Sequence, residues 1–217
     1  MIINVDVDGI SQEQVAFLKL INQQFVAGCQ VIDKVQGKKA TIYGGHSAVK
    51  GSKLYEETFE IGKVLANRGY TIMNGGGPGM MEAATAGAES ADGNTVAITM
   101  DIKNEPPQTI ADQIIPTTIF SVRKYLLYSS DVLIYVPGGW GTLDELAEVV
   151  ILSRFDKIPD KKIYLYNREF WEDFYQWVNH ELVKKWGLVS EEYTKILEII
   201  DSPAELERAL DKPLNIA

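Results

Sequence analysis

Three observations predict a doubly wound parallel sheet, a Rossmann-like three-layer α/β/α fold, for this 217-residue chain. Short apolar runs alternate with amphipathic segments of helical length, the pattern of βα units. Two of those runs end in glycine-rich turns that open directly into a helix. Glycine, serine and proline mark the helix ends, with Gly69 and Gly187 closing two and Ser202-Pro203 opening a third.

Residues 11–30 read as a helix. Ser11 and Gln14 form a capping box, and Val15, Leu18, Ile21, Phe25 and Cys29 then fall on one face. Gln36-Gly37-Lys38-Lys39 is a connector, and the regular alternation starts after it. Ala40 to Tyr43 is a strand, and Ser52 to Arg68 is a helix stopped by Gly69. Tyr70 to Met73 is the next strand. It runs through glycines 75–79 into a helix ending near Ala91. Thr95 to Thr99 is a strand, followed by a loop with Pro106-Pro107 and a short apolar piece at Ile114-Ile115. Ser121 to Ser129 is a helix leading to the strand Val132 to Val136. A second glycine corner opens a helix to about Arg154. Lys162 to Tyr166 is a strand. Trp171 to Trp186 is a helix, with Trp171, Phe174 and Trp177 or Val178 at core spacing. Ile196 to Ile200 reads as a last strand before a final helix. Residues 1–39 are thus expected as an N-terminal extension with one helix, and residues 40–217 as a single Rossmann-like nucleotide-binding domain.

The formal charge of −9, from 30 acidic and 21 basic residues, argues against a nucleic-acid groove. One cysteine, Cys29, excludes an internal disulfide, and two distant histidines, His46 and His180, give no zinc pattern. No apolar run is read as a membrane span, and Met1 to Gly9, with Asp6 and Asp8, lacks the basic start of a signal peptide. A cytoplasmic protein without membrane association is expected.

The chemistry concentrates in the glycine corners. A strand that ends in glycines and opens a helix presents free N–H groups and a positive helix end to one point, where phosphate fits. The first corner is Gly75-Gly76-Gly77-Pro78-Gly79-Met80-Met81-Glu82. It is no dinucleotide fingerprint, because Met80 stands where the third glycine belongs and no acidic residue follows about 20 positions on. No P-loop pattern occurs either. The second corner, Pro137-Gly138-Gly139-Trp140-Gly141-Thr142-Leu143-Asp144-Glu145, is the more specific. Thr142 can cap its helix or bind phosphate through its hydroxyl. Glu145 lies one turn in. Asp144, about 100° round the helix, competes with it as the working carboxylate. Each glutamate also has a plain electrostatic reading, since an acid favours a positive helix end by roughly 0.3–1 kcal/mol. Arg123-Lys124 precedes the second corner on a well-packed helix, either as a solvated basic pair or in reach of the ligand. Met80 and Met81 are core or pocket wall.

These residues resemble the LOG family in its bacterial form, the cytokinin riboside 5′-monophosphate phosphoribohydrolases once labelled lysine decarboxylases. The family's Pro-Gly-Gly-x-Gly-Thr-x-x-Glu is matched in full at Pro137 to Glu145, its Arg-Lys pair at Arg123-Lys124, and its glycine-rich first turn at Gly75 to Ala83. The similarity covers roughly residues 40–210. Phe120-Ser121-Val122 replaces the Met-His-x that precedes the pair in plant-type members. The resemblance implies hydrolysis of the N-glycosidic bond of AMP or an N6-modified AMP, to free base and ribose 5-phosphate. Arg123 and Glu145 are then the catalytic residues. Gly76, Gly77, Gly79, Met80, Glu82, Lys124, Gly138, Gly139, Gly141 and Thr142 are the substrate-binding ones. It also implies a homodimer, no metal, no cofactor such as pyridoxal phosphate, and a place in cytokinin biosynthesis. The same fold also serves nucleotide sensors and molybdenum-cofactor carriers that bind without turnover, which is the alternative reading.

Overall fold

In the computed structural model, residues 9–100 and 110–213 are described. The Pro106-Pro107 loop and the acidic stretch before Gly9 lie outside them. Seven strands form one parallel sheet. They are β1 (Lys38–Tyr43), β2 (Tyr70–Asn74), β3 (Thr95–Met100), β4 (Gln113–Thr117), β5 (Val132–Tyr135), β6 (Lys162–Tyr166) and β7 (Leu197–Ile200). Their spatial order is β4-β3-β2-β1-β5-β6-β7. The chain starts in the middle at β1, winds outward to β4, returns to β5 beside β1, and winds outward again. The order therefore reverses between β1 and β5, and ligands of such sheets bind at the strand ends of that reversal.

The helices are α1 (Gln12–Ile32), α2 (Lys53–Asn67), α3 (Met80–Glu89), α4 (Phe120–Tyr128), α5 (Trp140–Arg154), α6 (Arg168–Trp177) and α7 (Pro203–Leu210). They cover both faces, so β2, β3 and β5 are buried along their whole length and β1 from Ala40 onward. Successive residues of a strand feed opposite layers. Ile42, Ile72 and Ile134 join Ile61 and Leu65 of α2 on one side. Tyr43, Met73 and Leu133 join Leu126 of α4 and Trp171 of α6 on the other. Each such apolar side chain contributes about 1.5–3 kcal/mol by leaving water. Helices α2 and α3 meet at backbone distance. A side chain at Gly62 would strike the Ala84 carbonyl, and one at Gly87 the Phe59 carbonyl.

Three sequence expectations are corrected here. The capping box of α1 forms, with Gln14 N–H donating to Ser11 Oγ at 3.2 Å and Ser11 N–H to Gln14 Oε1 at 2.9 Å. Only the second half of the helix packs, through Gly28 against Leu126 and Phe25 against Tyr125. Leu18, expected on the buried face, is exposed, because its neighbour α4 has nine residues against the 21 of α1. By length and composition α1 also qualifies as a membrane span, so an apolar run of that length does exist. Lastly, the segment from Trp171 to Trp186 is not one regular helix. Helix α6 ends at Trp177 and a wider π-helical stretch, Val178–Lys185, continues to Gly187, whose φ is +60°. Trp177, about 120° round the regular helix from the buried Trp171, is exposed, while Val178, about 20° from it, is half-buried.

Candidate active site

A cavity of about 690 Å³ opens where β1 and β5 end. That volume falls within the ordinary ligand-site range of about 300–1,000 Å³. Its wall is built from the loop after β1 (Gly44 to Ala48), the turn between β5 and α5 (Pro137 to Thr142), and Gly75, Met80, Met81, Phe120, Arg123 and Glu145.

The turn between β5 and α5 is open. Gly139 and Gly141 are exposed, and a Cβ on either would meet nothing within 4 Å. The first helical bond runs from Leu143 N–H to the Gly139 carbonyl at 3.1 Å. The amides of Trp140, Gly141 and Thr142 ahead of it are the orphan donors of a helix start, and all three residues are on the cavity wall. Gly138 is glycine for a steric reason, since a Cβ there would press on Thr142 Oγ1. Thr142 is buried and stands three residues into the helix, behind an N-cap, Gly139, that makes no side-chain cap. The capping role open to it in the sequence is therefore not taken.

Behind this turn lies an ion pair. Arg123 Nη1 stands 3.2 Å from Glu145 Oε1, and both side chains are only 12% exposed. Arg123 Nε donates to the carbonyl of Ile98 at 3.1 Å, so the guanidinium is clamped between β3 and α5. Burial pushes the Glu145 carboxyl up to about 7, against the downward pull of Arg123 and with a further push from Asp144. The carboxyl is thus poised to exchange a proton near neutral pH. Below the pair, the Tyr43 and Tyr135 rings stack at 4.5 Å, and the Tyr135 hydroxyl donates to the Glu145 carbonyl at 3.3 Å.

The first corner is less open than the phosphate cradle expected of it. Two of its amides are already used. Gly76 N–H donates to Asn74 Oδ1 at 2.8 Å, and Met80 N–H to the Gly45 carbonyl at 3.1 Å. Gly76, Gly77 and Gly79 are buried and lie outside the cavity wall. Gly76 and Gly79 have φ of +69° and +72°, conformations that favour glycine. Gly75 makes room for the catalytic candidate, since a Cβ there would meet Arg123 Nη2. This corner seats the arginine and joins the loops.

Of the remaining candidates, Met80 is on the cavity wall. Glu82 is not, and it bonds the buried Tyr55 hydroxyl between α3 and α2. Lys124 is also off the wall, with its ammonium 2.9 Å from Asp144 and 2.6 Å from Glu148 on α5. That pairing ties Asp144 to α4 through Lys124, outside the cavity wall that Glu145 reaches. His46 is exposed on the wall. Sequence reasoning missed Gly45, whose N–H donates to the Pro137 carbonyl at 3.0 Å while its own carbonyl takes the Met80 amide. It ties the two corners together. The only signal was a further glycine pair at a strand end.

A family model described as the SLOG cluster4 family matches residues 38–158. An uncharacterized protein of Archaeoglobus fulgidus is 38% identical over 94 residues, 43% of this chain and 62% of that one. A cytokinin riboside 5′-monophosphate phosphoribohydrolase of Mycobacterium tuberculosis is 37% identical over 99 residues, 44% of this chain and 53% of that one. The match thus spans less than two thirds of either relative. Among solved structures, the molybdenum cofactor binding protein of Rippkaea orientalis superimposes with a TM-score of 0.60 at 22% identity, over 81% of this chain and 97% of that one. The molybdenum cofactor carrier protein of Chlamydomonas reinhardtii gives 0.57 at 23% identity, over 81% and 96%. These two likenesses are of fold.

Proposed function

The chain belongs to the SLOG cluster4 family, and from that membership and the cavity we propose that it is a nucleoside 5′-monophosphate phosphoribohydrolase. It hydrolyses the N-glycosidic bond of AMP or an N6-modified AMP to free base and ribose 5-phosphate. The observation that carries this reading is the Arg123–Glu145 pair beside an open helix start, with the carboxyl poised near pH 7.

The 5′-phosphate rests on the amides of Trp140, Gly141 and Thr142 and on the positive end of α5. The ribose then lies toward Glu145, one turn along the same helix. As the C1′–N bond lengthens, its electron pair leaves with the base and positive charge grows on the ribose, as in other glycosyl hydrolyses. Ionised Glu145 stabilises that charge and takes a proton from the water that bonds to C1′. The base takes up a proton on a ring nitrogen as it departs. Arg123 holds Glu145 in place and keeps part of it ionised, which desolvation alone opposes. A homodimer, the division at residue 39 and a cytoplasmic location belong to the same proposal, on the resemblance to LOG proteins.

The experiment is incubation with a panel of nucleoside monophosphates and the matching nucleosides, with free base followed by chromatography. AMP is expected to release adenine while adenosine scarcely reacts, because remote phosphate binding positions the ribose. Equal turnover of both would contradict the phosphate assignment. Tight AMP binding without base release from any nucleotide would replace the enzyme by a carrier or sensor.

A further inference from the structure

The family match begins at residue 38, so α1 precedes it, yet α1 packs on the helix that carries Arg123. That helix, α4, has nine residues, and its N-cap, Ile119, makes no side-chain cap. Its start is gripped from α1 instead. Gln24 Oε1 accepts the Thr118 N–H at 3.0 Å, and Gln24 Nε2 donates to Thr118 Oγ1 at 2.7 Å. One side-chain amide thus makes two bonds to the residue just ahead of the cap. The following turn of α1 closes on the rest of α4. The Phe25 and Tyr125 rings meet at 4.4 Å, and a Cβ on Gly28 would strike Leu126. Arg123 stands between these contacts. Its N–H donates to the Ile119 carbonyl at 3.0 Å, which closes the first turn of α4. A shift of the helix start therefore carries the arginine with it. The guanidinium has little slack, since Nε is held by the Ile98 carbonyl at 3.1 Å and Nη1 lies 3.2 Å from Glu145. The two Gln24 bonds lie at the surface, while Phe25, Gly28 and Ile32 supply the apolar contact that keeps α1 down. A surface amide aimed at one helix start sets register and adds little to the core.

We propose that Gln24 is a positioning residue: its side-chain amide sets the start of α4 and, through that helix, holds Arg123 on Glu145. Its effect on turnover rests on the phosphoribohydrolase reading, whereas its hold on the ion pair does not. The 5′-phosphate amides belong to α5 and make no contact with Gln24, so substrate binding and catalysis separate in a Gln24 variant. A residue outside the matched family region thereby becomes part of the support of the site.

The test compares the full chain as wild type, Gln24→Ala, Gln24→Glu and Ser11→Ala. Gln24→Ala should lower kcat for AMP by about tenfold or more, because a small misplacement of a catalytic group is costly. KM should stay within about twofold. Because Arg123 pulls the Glu145 carboxyl down, a looser arginine should also move the acid limb of the pH–rate profile upward. Gln24→Glu keeps an acceptor for both the amide and the hydroxyl of Thr118 and should restore both readings. Ser11→Ala loses the capping box of α1 away from Thr118 and should match wild type in both, which separates positioning from a general loss of stability. Hydrogen exchange gives a readout without turnover: the α4 amides should exchange faster in Gln24→Ala, and those of α5 should not. Urea unfolding gives another, since the fall in stability from pH 5 to pH 8 should be larger in that variant than in wild type. Wild-type kcat and an unmoved acid limb in Gln24→Ala would overturn the proposal, and so would equal losses in Ser11→Ala. A wild type that releases no base sinks the enzymatic reading alone. The proposal then stands if α4 exchange and the pH dependence of stability change as stated, and falls if they do not.

Discussion

Glu145→Gln should stabilise the protein at alkaline pH while disabling it. The carboxyl has its pKa raised from 4.5 to about 7, chiefly by burial. A carboxylate with a raised folded-state pKa supports the fold fully below its unfolded value, and that support is lost as pH rises through the folded value. The unfolded chain ionises this group near 4.5 and the folded chain near 7, so the loss falls between those two pH values. Summed from pH 5 to pH 8, the shift amounts to roughly 2–3 kcal/mol of wild-type stability. Glutamine has the size of the protonated acid and does not titrate. It leaves the Arg123 guanidinium without its counter-charge, but arginine stays charged throughout, so that cost is the same at both pH values. The clean quantity is therefore the change with pH of the stability difference between the two proteins. Urea unfolding at pH 5 and pH 8 measures it. The variant should gain on wild type by roughly 2–3 kcal/mol over that interval. Its turnover of AMP should fall by at least about 10²-fold, as expected for a positioned base or charge-stabilising group. A stability difference that does not move with pH would refute the assignment of a raised pKa to Glu145. Wild-type turnover in the variant would place the working carboxylate elsewhere.

The open turn and the seat of the arginine make two further predictions. Gly139 has φ −96° and ψ −153°, a backbone that any residue adopts, and open space at its Cβ position. Gly139→Val should therefore leave the circular dichroism spectrum unchanged and abolish AMP binding in calorimetry; undiminished affinity would remove this turn as the phosphate site. Gly75→Ala places a Cβ 1.8 Å from Arg123 Nη2 and must displace the guanidinium. Because Arg123 pulls the Glu145 pKa down, the acid limb of the pH–rate profile should move upward with AMP binding retained; an unmoved limb would contradict the pairing.

The strand–glycine–helix units were legible because they are local. Tyr70 to Met73 and Lys162 to Tyr166 are strands by composition and by the breakers beside them. β6 spans the same five residues as read, and β2 runs one residue further, to Asn74. Ser11 with Gln14 and Ser202 with Pro203 cap α1 and α7, since a cap needs only residues three or four apart. Glu145 stood out by its place in the second corner, and Arg123 through the resemblance to LOG proteins. Periodicity alone misled at Leu18, because an apolar stripe does not say whether a neighbour is long enough to cover it.

What no local pattern could reveal is which of two similar corners is open. Both set a glycine-rich turn ahead of a helix that carries a glutamate, Glu82 in one and Glu145 in the other. Their difference follows from β1 lying between β2 and β5, a consequence of sheet order. That placement brings the Gly45 carbonyl onto the Met80 amide and occupies a donor of the first corner, while at the second the same loop takes only a carbonyl, that of Pro137. The same order carries Arg123 across Gly75 to Glu145, distant in sequence, and buries the pair enough to move the carboxyl toward neutral pH. Backbone geometry and desolvation act between neighbours in space, and those neighbours exist only once the sheet has formed.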